Sequence, residues 1–330
     1  MPPPDSLIFP ALTPEPGDEL VPSAEQITAA ATRIAADVRQ TPLWRLPGAS
    51  LGLPVDEVWL KLEHLQVSGS FKARGMFNRM RSQPIPDAGV LIASGGNAGI
   101  AVATAARALG VRCEVYVPGL ASAAKRLALS ALHARVVVVG QNYADALAVC
   151  EKRQQITGAL WMHAYDQIEV LAGAGTLARE VEQQAGLPDR VLVSVGGGGL
   201  IGGITAWWAG RVRVEALEPF GAPTLHAALA AGQPVDVSVG GLAADALGAR
   251  RIGSLAWPLC QRWVAGAHLV GDEAITAAQI QLWHDLRLAV EPAAALPLAA
   301  LRSGLIQPGA HERVLLVLCG ANFDPATLQS

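Results

Sequence analysis

Short β-rich apolar runs alternate with longer helical runs along most of the chain, and this alternation constrains the fold more than any other feature. "GVLIAS" precedes "NAGIAVATAARALG", "CEVYVP" precedes "SAAKRLALSALHA", and "RVLVSVG" precedes "LIGGITAWWAG". "ARVVVVG" and "RVLLVLCG" have the same apolar character. Strands this apolar are typical of parallel sheets that helices cover on both faces. The pattern therefore predicts an α/β fold whose strands are buried on both sides.

Two glycine-rich turns indicate that one sheet is not enough. "SGGNAG" and "GGGGLIGG" each follow a predicted strand, and they lie about a hundred residues apart. Sheets of this kind bind ligands at the carboxyl ends of their strands. A chain of 330 residues is long enough for two cores. We therefore predict two doubly wound α/β domains with parallel sheets, facing each other across a cleft.

Charge and composition exclude several classes of protein. The formal net charge is −3 and no stretch is strongly basic, so nucleic acid is not an expected partner. No apolar run is long enough to cross a bilayer, and the proline-rich start lacks the pattern of a secretory signal. The four cysteines form no CxxC pair, and the seven histidines form no HExxH motif. We expect a cytoplasmic protein with reduced thiols and no zinc site.

The run "SVGGGGLIGGI" is the strongest local motif. Glycines 196–199 stand between a strand and a helix, where bare backbone N–H groups and the helix dipole favour a phosphate. A merely tight packing turn is the structural alternative. The run also fits G-x-G-x-x-G ending at Gly202, with Glu215 or Glu218 placed to bind a ribose. An NAD(P)-dependent oxidoreductase therefore remains open from this motif alone.

Three further features carry chemistry. Lys72, in "QVSGSFKARGM", lies at a predicted strand-to-helix turn, where partial desolvation would lower its pKa and free its lone pair. Asn97, in "ASGGNAG", can bind a carboxylate or a phenolic oxygen, or can simply cap a helix, as Ser94 can. Cys319 ends the last strand, either as a buried structural cysteine or as a weak neutral partner in the cleft.

Taken together and in order, these motifs resemble those of the fold-type II pyridoxal-phosphate enzymes. "KLEHLQVSGSFKARG", "SGGNAG", "SVGGGGL", "ALEPFGAPTLHAAL" and "LCGAN" are similar to the serine/threonine dehydratases, especially the short catabolic L-serine type. The resemblance runs from about Ile27 to Asp324. It implies a tryptophan synthase β-like fold with a large cofactor-binding domain (23–65 and 164–330), a small substrate-side domain (66–163) and a flexible tail (1–22).

The resemblance also implies a role for individual residues. Lys72 would bind pyridoxal 5'-phosphate through an imine and later act as a base, with Phe71 packing on the cofactor ring. The remaining implied cofactor contacts are Asn97 at the ring oxygen, Gly196, Gly197, Gly198, Gly199 and Leu200 at the phosphate, and Cys319 at the pyridine nitrogen. The implied substrate carboxylate site comprises Ser94, Gly95, Gly96, Asn97 and Ala98.

A cation site is implied as well, and the family pattern is not matched everywhere. Glu218, Ala222 and Thr224 correspond to a site for K⁺ or Mg²⁺, whereas the alternative is a helix start with Glu218 solvated or paired. After "EP" at Glu291 the family commonly has glycine, but this chain has only alanines. Gly95 stands where similar racemases have a serine that serves the second face of the carbanion.

The predicted function is a pyridoxal-phosphate-dependent ammonia-lyase. It would convert a β-hydroxy-α-amino acid, L-serine or L-threonine first, into a 2-oxo acid and ammonia. The alternatives are a serine racemase, another β-eliminating or β-replacing enzyme, and the NAD(P) oxidoreductase. The expected partners are a small-molecule amino acid and a second copy of the chain in a homodimer, with no nucleic acid and no membrane.

Overall fold

The computed structural model describes residues 21–329. The predicted flexible tail, residues 1–22, therefore lies almost entirely outside the described residues. The strands are β1 (Leu43–Pro47), β2 (Glu57–Lys61), β3 (Val90–Ala93), β4 (Cys113–Val117), β5 (Arg135–Val138), β6 (Leu160–Trp161), β7 (Arg190–Ser194), β8 (Arg213–Pro219), β9 (Val264–Val270) and β10 (Val314–Val317). The helices are α1 (Ala24–Ile34), α2 (Lys72–Arg81), α3 (Asn97–Leu109), α4 (Ala123–Ala131), α5 (Tyr143–Thr157), α6 (Ile168–Ala185), α7 (Gly199–Trp208), α8 (Thr224–Ala231), α9 (Ala244–Leu247), α10 (Ala256–Trp263), α11 (Asp272–Leu286) and α12 (Pro292–Arg302).

These strands form two sheets. The larger sheet has the order β1-β2-β10-β7-β8-β9, and the smaller has the order β5-β4-β3-β6. All pairs are parallel except β1 with β2, which is antiparallel. Each sheet has its own apolar core. The α/β fold with two parallel-sheet units is as predicted.

The predicted strands and helices of the alternating pattern are present, with one correction. Strands β3, β7 and β10 are buried along their whole length, as expected for the interior of a parallel sheet. Strand β5 is not, because it is the edge strand of the smaller sheet and pairs only with β4. The expectation that its "RVVV" run is buried on both faces is therefore wrong.

The strands of the smaller sheet fall inside the predicted range 66–163, and those of the larger sheet fall outside it. The domain boundaries themselves remain a prediction. Helix α2, which starts in the smaller range, packs against α6 of the larger range as well as against α3.

Helix α6 lies between α2 and α7 and contacts both through glycines. A Cβ atom built at Gly173 would lie 2.4 Å from the carbonyl oxygen of Arg74 in α2. One built at Gly175 would lie 2.7 Å from the carbonyl oxygen of Gly203 in α7. Both distances are far below van der Waals contact, so a side chain at either position would push the helices apart. The three helices therefore pack backbone against backbone.

No helix within residues 21–329 is long and apolar enough to cross a membrane. The four cysteines are buried free thiols, Cys113, Cys150, Cys260 and Cys319.

Candidate active site

A pocket lies where β7 and β10 end and where α2, α3 and α7 begin. These are the carboxyl ends of parallel strands and the positive ends of helices, so the pocket favours an anionic ligand. The residues that line it are Phe71, Lys72, Asn97, Ser194, Gly196, Gly197, Gly198, Gly199, Leu200, Ala246, Leu247, Glu291 and Cys319.

Lys72 is the first residue of α2, and neutral groups hold its amine. Its Nζ donates a hydrogen bond to the carbonyl oxygen of Ala164 at 2.7 Å and lies 5.1 Å from the centre of the Phe71 ring. Burial lowers the pKa of Lys72 to about 8, although Cys319 and Glu291 act in the opposite direction. An amine with this pKa is partly unprotonated near neutral pH, so it can act as a nucleophile and as a base.

Cys319 lies in the same pocket, immediately beyond β10. Its side chain is buried, and burial raises the pKa of its thiol well above the usual value. The backbone N–H of Phe71 donates to the carbonyl oxygen of Cys319 at 3.0 Å. Cys319 therefore contributes a neutral thiol to the pocket, and its backbone is hydrogen-bonded to the turn that carries Lys72.

The glycine turn between β7 and α7 presents backbone donors to the pocket. Thr224 Oγ1 donates to the carbonyl oxygen of Gly196 at 2.5 Å. The N–H of Gly253 donates to the carbonyl oxygen of Gly197 at 3.0 Å. Because each trans peptide opposes its C=O and N–H, the N–H groups of Gly197 and Gly198 point away from these two contacts. No protein group within residues 21–329 accepts a hydrogen bond from these N–H groups, which matches a phosphate cradle.

Two positions in this turn require glycine. Gly198 has φ of 86°, in the left-handed region, and it is the residue before α7. A Cβ atom at Gly197 would lie 2.3 Å from the ring of Tyr165. A larger residue would clash with Tyr165 in place of Gly197 and would be strained in place of Gly198.

Asn97, the first residue of α3, contacts an acid that the sequence motifs did not single out. Its Nδ2 donates to Glu291 Oε1 at 2.8 Å and to Oε2 at 3.0 Å, and its Oδ1 accepts from Asn322 Nδ2 at 2.7 Å. Burial raises the pKa of Glu291 to about 7. The pocket thus contains one partly buried amine, one buried thiol and one buried carboxyl.

The family model for pyridoxal-phosphate dependent enzymes matches residues 34–320. The chain belongs to that family. The residues fit the cofactor. Backbone N–H groups without a protein acceptor, which suit a phosphate, line the same pocket as a lysine amine of lowered pKa, which suits an aldehyde. This pairing has no use in an NAD(P)-dependent oxidoreductase, and the family match replaces that alternative.

Two relatives and one solved structure show how far the similarity of this pyridoxal-phosphate enzyme extends. It is 35% identical over 312 residues to phenylserine dehydratase from Ralstonia pickettii, covering 93% of this chain and 95% of the relative. It is 37% identical over 305 residues to L-threonine ammonia-lyase from Geobacter sulfurreducens, covering 90% and 74%. Maize serine racemase superposes with a TM-score of 0.87 at 29% identity, covering 94% and 96%. These findings confirm the predicted family, fold, cofactor and lyase class.

The pyridoxal-phosphate pocket brings together most of the residues singled out for the cofactor. Phe71, Lys72, Asn97, the turn 196–200 and Cys319 all line it.

The turn Ser94–Gly96 and Ala98 do not line the pocket. A Cβ atom at Gly96 would lie 3.0 Å from the carbonyl oxygen of Asp245, so this turn lies beside the pocket wall formed by α9. Its role toward the substrate stays a prediction.

The three residues singled out for a cation lie behind the glycine turn. Glu218 Oε1 accepts from Thr224 Oγ1 at 2.8 Å and from Leu225 N at 2.7 Å, and Oε2 accepts from His226 N at 2.7 Å. The carboxyl therefore caps the start of α8, with Ala222 in the preceding turn. Residues 21–329 contain no group of three or more His, Cys, Asp or Glu side chains arranged for a metal. Binding of K⁺ or Mg²⁺ here stays a prediction.

Sequence motifs missed Glu291, Asn322, Ala164 and Tyr165. Asn322 ends the "LCGAN" run, in which only Cys319 was assigned a role, whereas Glu291, Ala164 and Tyr165 carry no role in any quoted motif. The "EP" dipeptide at Glu291 was the only local signal for the acid.

Proposed function

We propose that this enzyme is an ammonia-lyase that converts a β-hydroxy-α-amino acid, with L-serine or L-threonine first, into a 2-oxo acid and ammonia. The observation that carries the proposal is the dry amine of Lys72, with a pKa lowered to about 8, in one pocket with a bare N–H cradle. The names of the two relatives support the reaction class. The similarity to a phenylserine dehydratase adds a bulkier β-hydroxy amino acid to the candidates.

We assign the cofactor contacts residue by residue. The N–H groups of the turn 196–200 would hold the phosphate, Lys72 would attach the cofactor, and Phe71 would pack on its ring. Asn97 would donate to the ring oxygen, and the neutral thiol of Cys319 would face the pyridine nitrogen. A neutral partner cannot keep that nitrogen protonated as a carboxylate would, which favours loss of the β-hydroxyl over transamination.

When bound, pyridoxal phosphate supplies the electron sink that makes the Cα–H bond of an amino acid acidic. With the cofactor bound, the Lys72 amine would accept the Cα proton of the substrate, and the carbonyl oxygen of Ala164 would orient that amine. A base with a pKa of about 8 is matched to neutral pH. The turn Ser94–Ala98, at the positive end of α3, binds the substrate carboxylate.

Covalent trapping tests the proposal. The purified holoprotein is treated with borohydride and mapped, and 2-oxo acid release is measured with L-serine, L-threonine and phenylserine. We expect the label on Lys72 and release of a 2-oxo acid from at least one substrate. Lys72→Ala should lose the label and should release 2-oxo acid at least about 10²-fold more slowly. Lys152→Ala, in α5 at the surface, should keep both the label and the rate. A label on another lysine, or no release from any β-hydroxy amino acid, refutes the proposal.

A serine racemase is the second candidate, because the fold is so similar to the maize enzyme. Racemisation needs a proton-transferring group on each face of the planar carbanion. Lys72 serves one face, and Gly95 offers no proton to the other. A Cβ atom at Gly95 would lie 3.3 Å from Val117 Cγ1, so serine fits there with a small shift.

Isotope exchange separates the two candidates. In deuterated water, the wild-type enzyme should form 2-oxo acid from L-serine faster than D-serine, and Gly95→Ser should raise the D-serine fraction. D-serine formed faster than pyruvate by the wild type would favour the racemase.

A homodimer, a cytoplasmic location and a cation at Glu218 complete the proposal, and they rest on the sequence resemblance and the composition. Light scattering of the purified protein tests the homodimer. Activity that does not respond to potassium, magnesium or chelator would count against the cation.

A further inference from the structure

The side chain of Glu291 contacts the pocket and not the helix that follows it. Glu291 is the residue immediately before α12, and its carboxyl makes no capping hydrogen bond there. The side chain is instead 3% exposed and lines the pocket. A carboxyl buried this far needs a hydrogen-bond partner.

That partner is the amide of Asn97. The two oxygens of one carboxyl lie close together, whereas the two N–H bonds of an amide diverge widely. A single N–H of Asn97 therefore faces both Glu291 oxygens, at 2.8 and 3.0 Å, and the second N–H is left over. The oxygen of the Asn97 amide is already taken by Asn322 Nδ2 at 2.7 Å.

Asn322 completes the arrangement. Its Nδ2 also donates to the carbonyl oxygen of Ser68 at 3.0 Å, and its backbone N–H donates to Glu291 Oε2 at 3.3 Å. Turning the Asn97 amide over would set its oxygen against the Glu291 oxygens and its NH₂ group against the NH₂ of Asn322. Both contacts would be repulsive, so Glu291 and Asn322 together allow one orientation of Asn97.

We propose that Glu291 is a positioning residue that locks the Asn97 amide with a free N–H toward the pocket, so that the site selects a ligand with an acceptor oxygen at that point. The inference rests on the proposed function, in which Asn97 meets the ring oxygen of the cofactor. It adds the reason why Asn97 can only donate there.

The charge state of Glu291 decides how far Asn322 shares this role. The titratable groups that face it are Lys72, Cys319 and Asp245, and burial raises its pKa to about 7. The ionised carboxyl offers only acceptor oxygens to Asn97, whereas the protonated carboxyl offers one acceptor and one donor. The orientation of Asn97 therefore rests on both Glu291 and Asn322 when the carboxyl is ionised, and on the hydrogen bond from Asn322 Nδ2 when it is protonated.

A pair of ligands tests the inference without any turnover. The full chain carrying Lys72→Ala binds ligand non-covalently, and calorimetry measures its affinity for pyridoxal 5'-phosphate and for the analogue that lacks the ring hydroxyl. Glu291→Ala and Asn322→Ala are each added to this background. We expect each to weaken pyridoxal phosphate about 5- to 10-fold, the effect of one misplaced hydrogen bond. The analogue should change less than about 2-fold, since it has no oxygen for Asn97 to meet.

Two further variants serve as controls. Glu291→Gln keeps an acceptor oxygen for Asn97 and should restore most of the preference for pyridoxal phosphate. Gln279→Met removes the hydrogen bond of 2.7 Å to the carbonyl oxygen of Val290, next to Glu291, without touching Asn97. It should leave the ratio of the two affinities unchanged. Asn322 is exposed, so its variant tests the lock even if Glu291→Ala fails to fold.

The outcomes separate this inference from the proposed function. Equal weakening of both ligands by Asn322→Ala, or no weakening of either ligand by that variant, overturns the positioning role. If pyridoxal phosphate and its analogue bind the Lys72→Ala background equally well, Asn97 does not meet the ring oxygen, and the inference fails with that assignment. If the chain with Lys72 intact binds no pyridoxal phosphate, the proposed function fails instead.

Discussion

Lys72 and Arg74 lie on the same turn of α2, and their surroundings differ completely. Arg74 donates from Nε and Nη2 to the two oxygens of Glu63, at 2.8 and 2.7 Å, and from both terminal nitrogens to Glu180 at 3.0 Å. Lys61, also fully buried, donates to Glu180 at 2.6 Å. The cluster therefore balances two cations with two carboxylates. Lys72 has a carbonyl, a neutral thiol and one carboxyl whose pKa is itself raised.

The two pKa shifts follow this difference. Burial alone would lower the pKa of both side chains, but Glu63 and Glu180 outweigh it at Arg74 and raise that pKa. At Lys72 burial prevails. One helical turn thus carries a structural cation and a reactive amine, and the number of ionised neighbours decides which is which.

The largest effect should come from breaking the paired site. Arg74→Met leaves Glu63 and Glu180 buried without the guanidinium, and we expect a loss of about 3–5 kcal/mol in the free energy of unfolding. Arg79→Met, on the same helix, removes only a partly exposed ion pair with Glu169 and should cost less than about 1 kcal/mol. Urea unfolding of the two variants measures the difference. Equal losses would contradict the contrast.

Removing the poorly paired amine of Lys72 should increase the free energy of unfolding instead of lowering it. The folded-state pKa of Lys72, about 8, lies below its usual value of 10.5, so protonation opposes folding. The penalty is fully present below pH 8 and is lost as the pH rises from 8 to 10.5. Lys72→Met should therefore stabilise the apoprotein by about 3 kcal/mol at pH 7 and by nearly nothing above pH 10.5. Urea unfolding at several pH values measures this, and a destabilised variant at pH 7 would show that Lys72 is adequately paired.

The smallest effect should come from giving Lys72 the counter-charge that it lacks. Cys319→Asp places a carboxylate in the pocket, and we expect the pKa of Lys72 to rise by about one unit. Competitive labelling of lysines in the apoprotein, followed by peptide mapping, gives this pKa directly. Cys319→Ser, which adds no charge, should leave it nearly unchanged. If the aspartate and serine variants titrate alike, Cys319 does not face the amine.

Sequence patterns predicted the parts of the fold that depend on neighbours along the chain. The apolar runs of β3, β7 and β10 are local, and the three strands are present. The antiparallel pairing of β1 with β2 was not predicted, because it depends on which strand the larger sheet leaves at its edge.

The same distinction between local and long-range signals applies to the residues of the pocket. Lys72 and the turn 196–199 were singled out because each carries its chemistry within a few residues. Glu291 was not, since its meaning comes from Asn97, 194 positions away in sequence. The Arg74 cluster joins Glu63 to Glu180 and could not be inferred from either acid alone. Long-range contacts of single polar residues leave no periodic trace.

The glycine contacts of α6 bear on how the pocket can move. Helix α6 separates the helix that starts with Lys72 from the helix that starts with the phosphate cradle, and it contacts both through backbone atoms. No side chain at Gly173 or Gly175 can change rotamer to absorb a displacement, so the amine and the cradle keep a fixed spacing. On the opposite side, α3 is tied by hydrogen bonds of Asn97, and α4 is tied to α9 by the ion pair of Lys125 with Asp245 at 2.7 Å. Because these ties are made by side chains, we expect substrate entry and product release to involve movement on that side, while the cofactor side stays fixed.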